Sequence, residues 1–349
     1  VDAGYGTITF NGTVNGAQAL TAISTGAMVF NAAVGGTTAL ASLTTGTGYT
    51  SLVNVTTAGA QSYGGETSLM GTYATGNGAF TVAGPVTLAG AATVNAGSGA
   101  VTFNGTVNGA QALTVNGSGA TQFNAAVGGT TALASLTTDA DGTTSLKSVT
   151  TSGAQTYNDA TTLDGGYQAG TVFSAAQAVT LGGDSRITGT GGIVLTSTLD
   201  GGRALTLTSG SGDILLGGAV GGTSRLGALT INGGGTTTVT GAVKAASLAT
   251  DATGITILNG GSVDTTGAQS YADAVTLGTD TVLTGTQLSL SGGIDAAEAG
   301  RQGLTIAGNA AITGTFGTRQ ALAALTVGGE TLLNGATAVT SGAQTYGGA

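Results

Sequence analysis

Short stretches in which apolar residues alternate with Thr or Ser run the length of the chain. Ile8 and Phe10 alternate in TITF, Leu205 and Leu207 in ALTLT, Ile255 and Ile257 in GITIL, and Leu288 and Leu290 in QLSLS. Alternation of period two predicts short strands with the apolar set on one buried face. Between the strands stand Asn-Gly, Gly-Gly, Ser-Gly and Asp-Gly pairs, residues that accept positive φ at corners. Gly and β-branched residues are frequent and long amphipathic runs with helix caps are missing, so helices are not expected.

The pattern repeats at two lengths. FNGTVNGAQALT at Phe10–Thr21 returns unchanged at Phe103–Thr114, and FNAAVGGTTALASLTT at Phe30–Thr45 returns at Phe123–Thr138, an offset of 93 residues. A weaker third copy lies at Gly217–Thr230, where Val127 becomes Val220 and Leu133 becomes Leu226. Inside each long unit runs a 20-residue step: Asn11, Val14, Gly16, Ala19 and Leu20 recur as Asn31, Val34, Gly36, Ala39 and Leu40. The distance from the second Leu of an L-x-x-L pair to the next GAQ motif is 18 residues from Leu43 to Gln61 and 19 from Leu136 to Gln155. It is 40 from Leu229 to Gln269, an excess of about one short step. A solenoid gains or loses one coil and keeps stacking, which a globular domain rarely tolerates. A coil of about 20 residues holds three short strands and three corners. The expected fold is therefore an all-β parallel β-helix, with right-handed winding expected from the rule for parallel crossovers. With some 17 or 18 coils at ~4.8 Å each, residues 1–349 read as one continuous repeat segment. Residues 1–8 sit in register with 94–101 and Ala349 falls within a GAQTYGGA motif, so a piece of a longer chain is expected.

Composition narrows the partners. The chain has 67 Gly, one Pro, no Cys and no His, 7% charged residues and a net charge of −9. Hydrophobic residues make up 40%, so a core of small side chains can form and disorder is not expected. The first 138 residues contain no Lys or Arg, which argues against nucleic acid and against docking on anionic lipid. No apolar run reaches the ~18 residues of a membrane span. Without Cys there is no disulfide framework and no thiolate metal site.

The stretches VTFNGTVNGAQALTV, AVGGTTALASLTT and VTTSGAQTYNDATTL resemble the shafts of filamentous-haemagglutinin-like exoproteins, and the likeness covers essentially the whole chain. These are large repetitive surface adhesins of Gram-negative bacteria, often exported by two-partner secretion. The resemblance implies a right-handed β-helix, an extracellular or cell-surface location, and a role in adhesion or biofilm. It also implies neighbouring repeat segments, copies of itself, or cell-surface glycans and proteins as partners. The lack of Cys and near-lack of Pro suit passage of an unfolded chain through a pore.

Several residues invite a functional reading. GAQ[S/T]Y occurs with Gln61–Tyr63, Gln155–Tyr157, Gln269–Tyr271 and Gln344–Tyr346. Gln and Tyr two apart on a strand share a face. Outward, they would form a sparse row for stacking on a partner. Inward, they would build a structural corner, which is the reading preferred here because repeat proteins copy structural positions. Asn11 with Asn31, and Asn104 with Asn124, are placed to form hydrogen-bonded ladders or turns, ahead of the N-x-Thr glycan-acceptor reading at Asn11 and Asn104. Asp139 in DADG with Asp159, and Asp164 with Asp184, hint at a cation site but read better as solvated turn aspartates, since the remaining ligands of a calcium loop are missing. The cations Lys147, Arg186, Arg203, Arg225, Lys244, Arg301 and Arg319 are scattered, and Asp184 beside Arg186 reads as a surface ion pair. No catalytic, cofactor-binding or metal residues are assigned, and no enzyme activity is expected. Two functions remain: the rod-like shaft of an adhesive fibre, and a purely structural self-assembling filament. A polysaccharide-active β-helix enzyme is a distant third.

Overall fold

The computed structural model describes residues 1–348. The described residues contain no helix, and parallel strands wind in about 17 turns of roughly 20 residues with three sheets. This is the expected parallel β-helix. The chain divides into two compact units, Val1–Gly170 and Thr171–Ala349.

In the first unit one face is built by the registers Ile8↔Met28, Met28↔Thr50, Thr50↔Thr67 and Thr67↔Val86, so a coil takes between 17 and 22 residues. A second face stacks Val55, Tyr73, Val94 and Val115, and a third stacks Thr45, Tyr63, Val82, Phe103 and Phe123. All of these point inward and are buried. Aromatic rings form the spine of this core: the centroids of Tyr63 and Phe80 lie 5.6 Å apart, Phe80 and Phe103 5.7 Å, and Phe103 and Phe123 5.0 Å and stacked. Each such ring contributes on the order of 1.5–3 kcal/mol by leaving water, and the ring pairs add to it. The alternate residues face out as a file of short polar side chains, Thr44, Ser62, Thr81, Thr102, Gln122 and Ser145.

The second unit is built mainly on aliphatic files. Leu205, Leu229, Leu248, Gln269 and Leu288 stand in register on one face, and Val243, Val263, Leu283, Ile306 and Val327 on another. The first file accounts for the long third spacing in the sequence. Leu43 and Leu136 lie directly under Gln61 and Gln155, but Leu248 sits between Leu229 and Gln269, which is one added coil. At Ile255–Leu258 the alternation is inverted from expectation. Thr256 and Leu258 are buried while Ile255 is 42% exposed. The Thr256 hydroxyl is drawn inward by a buried carboxylate, and a shift of one residue turns every side chain over.

One corner recurs in both units and fixes its glycine. In the first unit Gly35 and Gly128 each have φ of 70°, and a Cβ there would lie 2.0 Å from the carbonyl oxygen of Thr56 or Thr150 on the next coil. In the second, a Cβ at Gly221 or Gly317 would lie 2.1 Å from Lys244 O or Val339 O in the same way. The same loop is bonded from the coil before. Asn15 Oδ1 accepts from the backbone N–H groups of Thr37 (2.9 Å) and Thr38 (3.3 Å), and Asn108 does so from Thr130 and Thr131. In the second unit Asp200 accepts from Thr223 and Ser224, and Asp295 from Arg319 and Gln320. Asp serves where Asn did because only an acceptor oxygen is used.

Gly128→Ala is expected to lower the unfolding free energy by about 1–3 kcal/mol, because it combines a left-handed φ with a backbone clash. Gly12→Ala, whose added Cβ would meet nothing, should change it by less than about 0.5 kcal/mol. Urea unfolding of the two variants beside the parent chain checks both.

Candidate functional site

The repeated Gln-x-Tyr pair faces the interior. Gln61, Tyr63, Gln155, Tyr157 and Gln269 are 0% exposed and Tyr271 is 1% exposed. The bonding is the same each time. The Tyr hydroxyl donates to the Oε1 of its Gln at 2.9 Å for Tyr63, 3.1 Å for Tyr157 and 3.0 Å for Tyr271. The Gln Nε2 donates to a backbone carbonyl six residues earlier, that of Val55 (3.3 Å), Val149 (3.2 Å) or Val263 (3.0 Å). It reaches the following coil as well, at Ala74 O (2.9 Å) for Gln61 and Thr284 O (2.7 Å) for Gln269. One side chain thus closes a corner in its own coil and ties it to the next. Burial, above all, pushes the hydroxyls of Tyr63, Tyr157 and Tyr271 well above the ordinary phenol range, so they stay protonated and donating. Gln344 and Tyr346, in the last coil, carry the same internal bonds but are exposed.

In the first unit the motifs do not form a row. Gln61 and Gln155 are 94 residues apart, which is not a whole number of coils, so the copied motif lands on a different face. In the first unit Tyr63 pairs with Thr45 and Val82, whereas Tyr157 belongs to the strand Gln155–Tyr157, which pairs with Ser135–Thr138 in another sheet. In the second unit Gln269–Tyr271 aligns with Leu288–Leu290, and Gln344–Tyr346 aligns through Leu325–Val327 with Leu304–Ile306. Two further tyrosines also brace backbone from inside. Tyr73 OH donates to Leu52 O (2.9 Å) and accepts from Met70 N, and Tyr167 OH donates to Leu146 O (2.8 Å) and accepts from Asp164 N.

The aspartates need correction. Asp159 is not a solvated turn residue but 2% exposed, and its carboxylate accepts from Thr138 Oγ1 (2.9 Å) and Thr144 Oγ1 (2.6 Å). Asp273, which its spacing did not single out, is 5% exposed and accepts from Thr250 Oγ1 (2.5 Å) and Thr256 Oγ1 (2.6 Å). The signal for both was present: T-D-A-x-G-x-T at 138–144 and at 250–256, each followed by Y-x-D ending at Asp159 and Asp273. In the first repeat Gly65 stands where the Asp would, and Thr50 Oγ1 donates directly to Thr45 Oγ1 at 3.2 Å.

The surface candidates are spent on one another. Asn31 Nδ2 donates to Asn11 Oδ1 (3.0 Å) and Asn124 Nδ2 to Asn104 Oδ1 (2.9 Å), the expected ladders. Asn116 and Asn95 form a third at 2.8 Å, while Asp139 accepts from Gly117 N at 2.8 Å. Asp164 pairs with Lys147, and Asp184 accepts from Ala204 N (2.9 Å). Among the described residues the ion pairs are Lys147–Asp164, Arg225–Asp264 and Arg301–Glu298, so the expected Asp184–Arg186 pair does not form. Asp184 instead turns to the backbone of the next coil. Arg225 donates both to Asp264 Oδ2 (2.6 Å) and to the carbonyls of Ala245 and Asp264, and so spans successive coils. Among the described residues no three carboxylates converge on a cation position, and no helix is long and apolar enough to cross a membrane.

The protein is thus a parallel β-solenoid whose repeated Gln-x-Tyr residues lie inside it, the last copy excepted. No family model, curated protein or solved structure matches the chain.

Tyr271→Phe should cost about 1–3 kcal/mol, because it strands the buried Gln269 Oε1. Gln269→Leu should cost about 2–4 kcal/mol by leaving several buried partners unpaired. Gln344→Leu, at the exposed copy, should stay within about 0.5 kcal/mol. Thermal and urea unfolding of the three variants measures the contrast.

Proposed function

We propose that the chain is a structural shaft segment of an extracellular adhesive fibre of a Gram-negative bacterium. Its work is to carry length and stiffness, and gripping a ligand is left to other parts of the fibre. The observation that supports this best is where the repeated residues go. Gln61, Gln155 and Gln269 are among the scarcer polar side chains of the repeat, and all three are buried in the corners they bond. A motif kept for a partner would be displayed along one face, whereas these lie inward, with Gln61 and Gln155 on different faces of the first unit. The Asn ladders add bonds between coils at the surface. The added coil at Leu248 fits the same reading, since a spacer absorbs length changes that a catalytic site would not. The extracellular location and the adhesive setting rest on the resemblance of the repeats to filamentous-haemagglutinin-like shafts.

The test is binding of the chain by itself to host cells, to bacterial cells and to a glycan array. A shaft shows no saturable binding, and duplicating residues 34–126 within it leaves a folded, β-rich protein with its thermal midpoint kept within a few degrees. Saturable binding by the chain alone would make it a binding module, and loss of folding on duplication would contradict the shaft.

A further inference from the structure

We propose that Asp159 and Asp273 are acid-tightened clamps: as pH falls each takes up a proton and holds the preceding corner loop more firmly. The geometry is the same in both units. Each carboxyl is buried and bridges two Thr hydroxyls that flank one loop, Thr138 with Thr144 and Thr250 with Thr256. Between the paired threonines run DADGT and DATGI, loops whose glycine-centred turns, at Gly142 and Gly254, have φ of 81° and 79°. The clamp therefore spans a corner loop and closes it from the next coil.

The titratable groups facing Asp159 are Asp139 in the clamped loop and Tyr157 on its own strand. Those facing Asp273 are Asp251 and Tyr271. No cation opposes either carboxylate among these neighbours, and the tyrosines are neutral. A charge here is desolvated, and it is repelled by the loop aspartate. Desolvation, only partly offset by the Thr hydrogen bonds, holds both carboxyls above the ordinary Asp range. A Thr hydroxyl both donates and accepts, so the pair can turn to receive a carboxylic acid proton without losing either contact.

The sign follows from proton binding. A carboxyl raised in the folded state binds its proton more tightly there than in the unfolded chain. Its stabilising contribution is complete below the unfolded value near ~3.9 and is lost as pH rises through the folded value. This is opposite to the behaviour of salt-bridged aspartates. The chain carries its own control. The corner at Thr45 and Thr50, with Gly65 in place of the Asp, has no titrating group in the clamp.

Hydrogen exchange from pH 7.5 down to pH 3.5, corrected for intrinsic rates, tests the proposal on the intact chain. Protection of amides 139–144 and 251–256 should rise toward acid, by about tenfold for each unit by which the folded carboxyl exceeds the unfolded one. Protection at 46–50 should stay flat. Asp159→Asn and Asp273→Asn should flatten the first two as well. Should either Asn variant fail to fold, Asp159→Gly and Asp273→Gly copy the Gly65 corner and serve in its place. An equal rise at all three corners, no rise at any, or a rise that survives these substitutions would overturn the clamp.

Discussion

Keeping each coil in register with its neighbours is the constraint on which the whole structure rests. A parallel ladder supplies regular backbone bonds, but it would be nearly as well made with a strand slipped by two residues. Runs of Thr, Ala and Val offer little to forbid such a slip. The buried polar side chains do. Gln269 sits in a file of leucines and bonds Val263 O in its own coil and Thr284 O in the next, with Tyr271 completing its amide. A slipped strand would leave all of these groups unpaired away from water, at a cost of kilocalories for each. Polar residues in this core therefore act as registration marks, and the apolar files supply the bulk of the stabilisation.

The same constraint explains why the corners persist from repeat to repeat while the faces do not. Gly35 and Gly128 are fixed by a carbonyl 2.0 Å from where a Cβ would stand, and Asn15 and Asn108 by two backbone N–H groups. These contacts depend only on the coil above and the coil below. They survive when the repeat is rotated to another side of the solenoid, as an offset of 93 residues requires. A surface site built from several coils would be broken up by that rotation. A coil-to-coil bond is indifferent to it, which supports the structural role proposed above.

Much of the fold could be read from sequence because it is local and periodic. The strands, the coil length of about 20 residues and the added coil between Leu229 and Gln269 followed from spacing, and the registers reproduce them. The Asn ladders followed from residues one coil apart. What spacing could not show was burial of polar groups. Asp159 looked like a turn residue because carboxylates are seldom buried. Only its bonds to Thr138 and Thr144, distant by 21 and 15 residues, account for its place inside. Ile255 was placed inward for the matching reason, since the carboxylate of Asp273 that draws Thr256 in lies 17 residues beyond that threonine. The corner cap was not read from sequence at all: its acceptor oxygen comes from Asn15 and Asn108 in the first unit but from Asp200 and Asp295 in the second, so no single residue type marks it.

Tyrosine accessibility in the native chain tests the central claim most directly, that the repeated motif is an interior bridge. The eight tyrosines divide cleanly: Tyr5, Tyr49 and Tyr346 are exposed, and Tyr63, Tyr73, Tyr157, Tyr167 and Tyr271 are buried. Nitration of the folded protein, read by peptide mass, should label the first three and spare the other five until denaturant is added. Labelling of Tyr63, Tyr157 and Tyr271 at the rate of Tyr5 would place the motif on the surface and contradict the account.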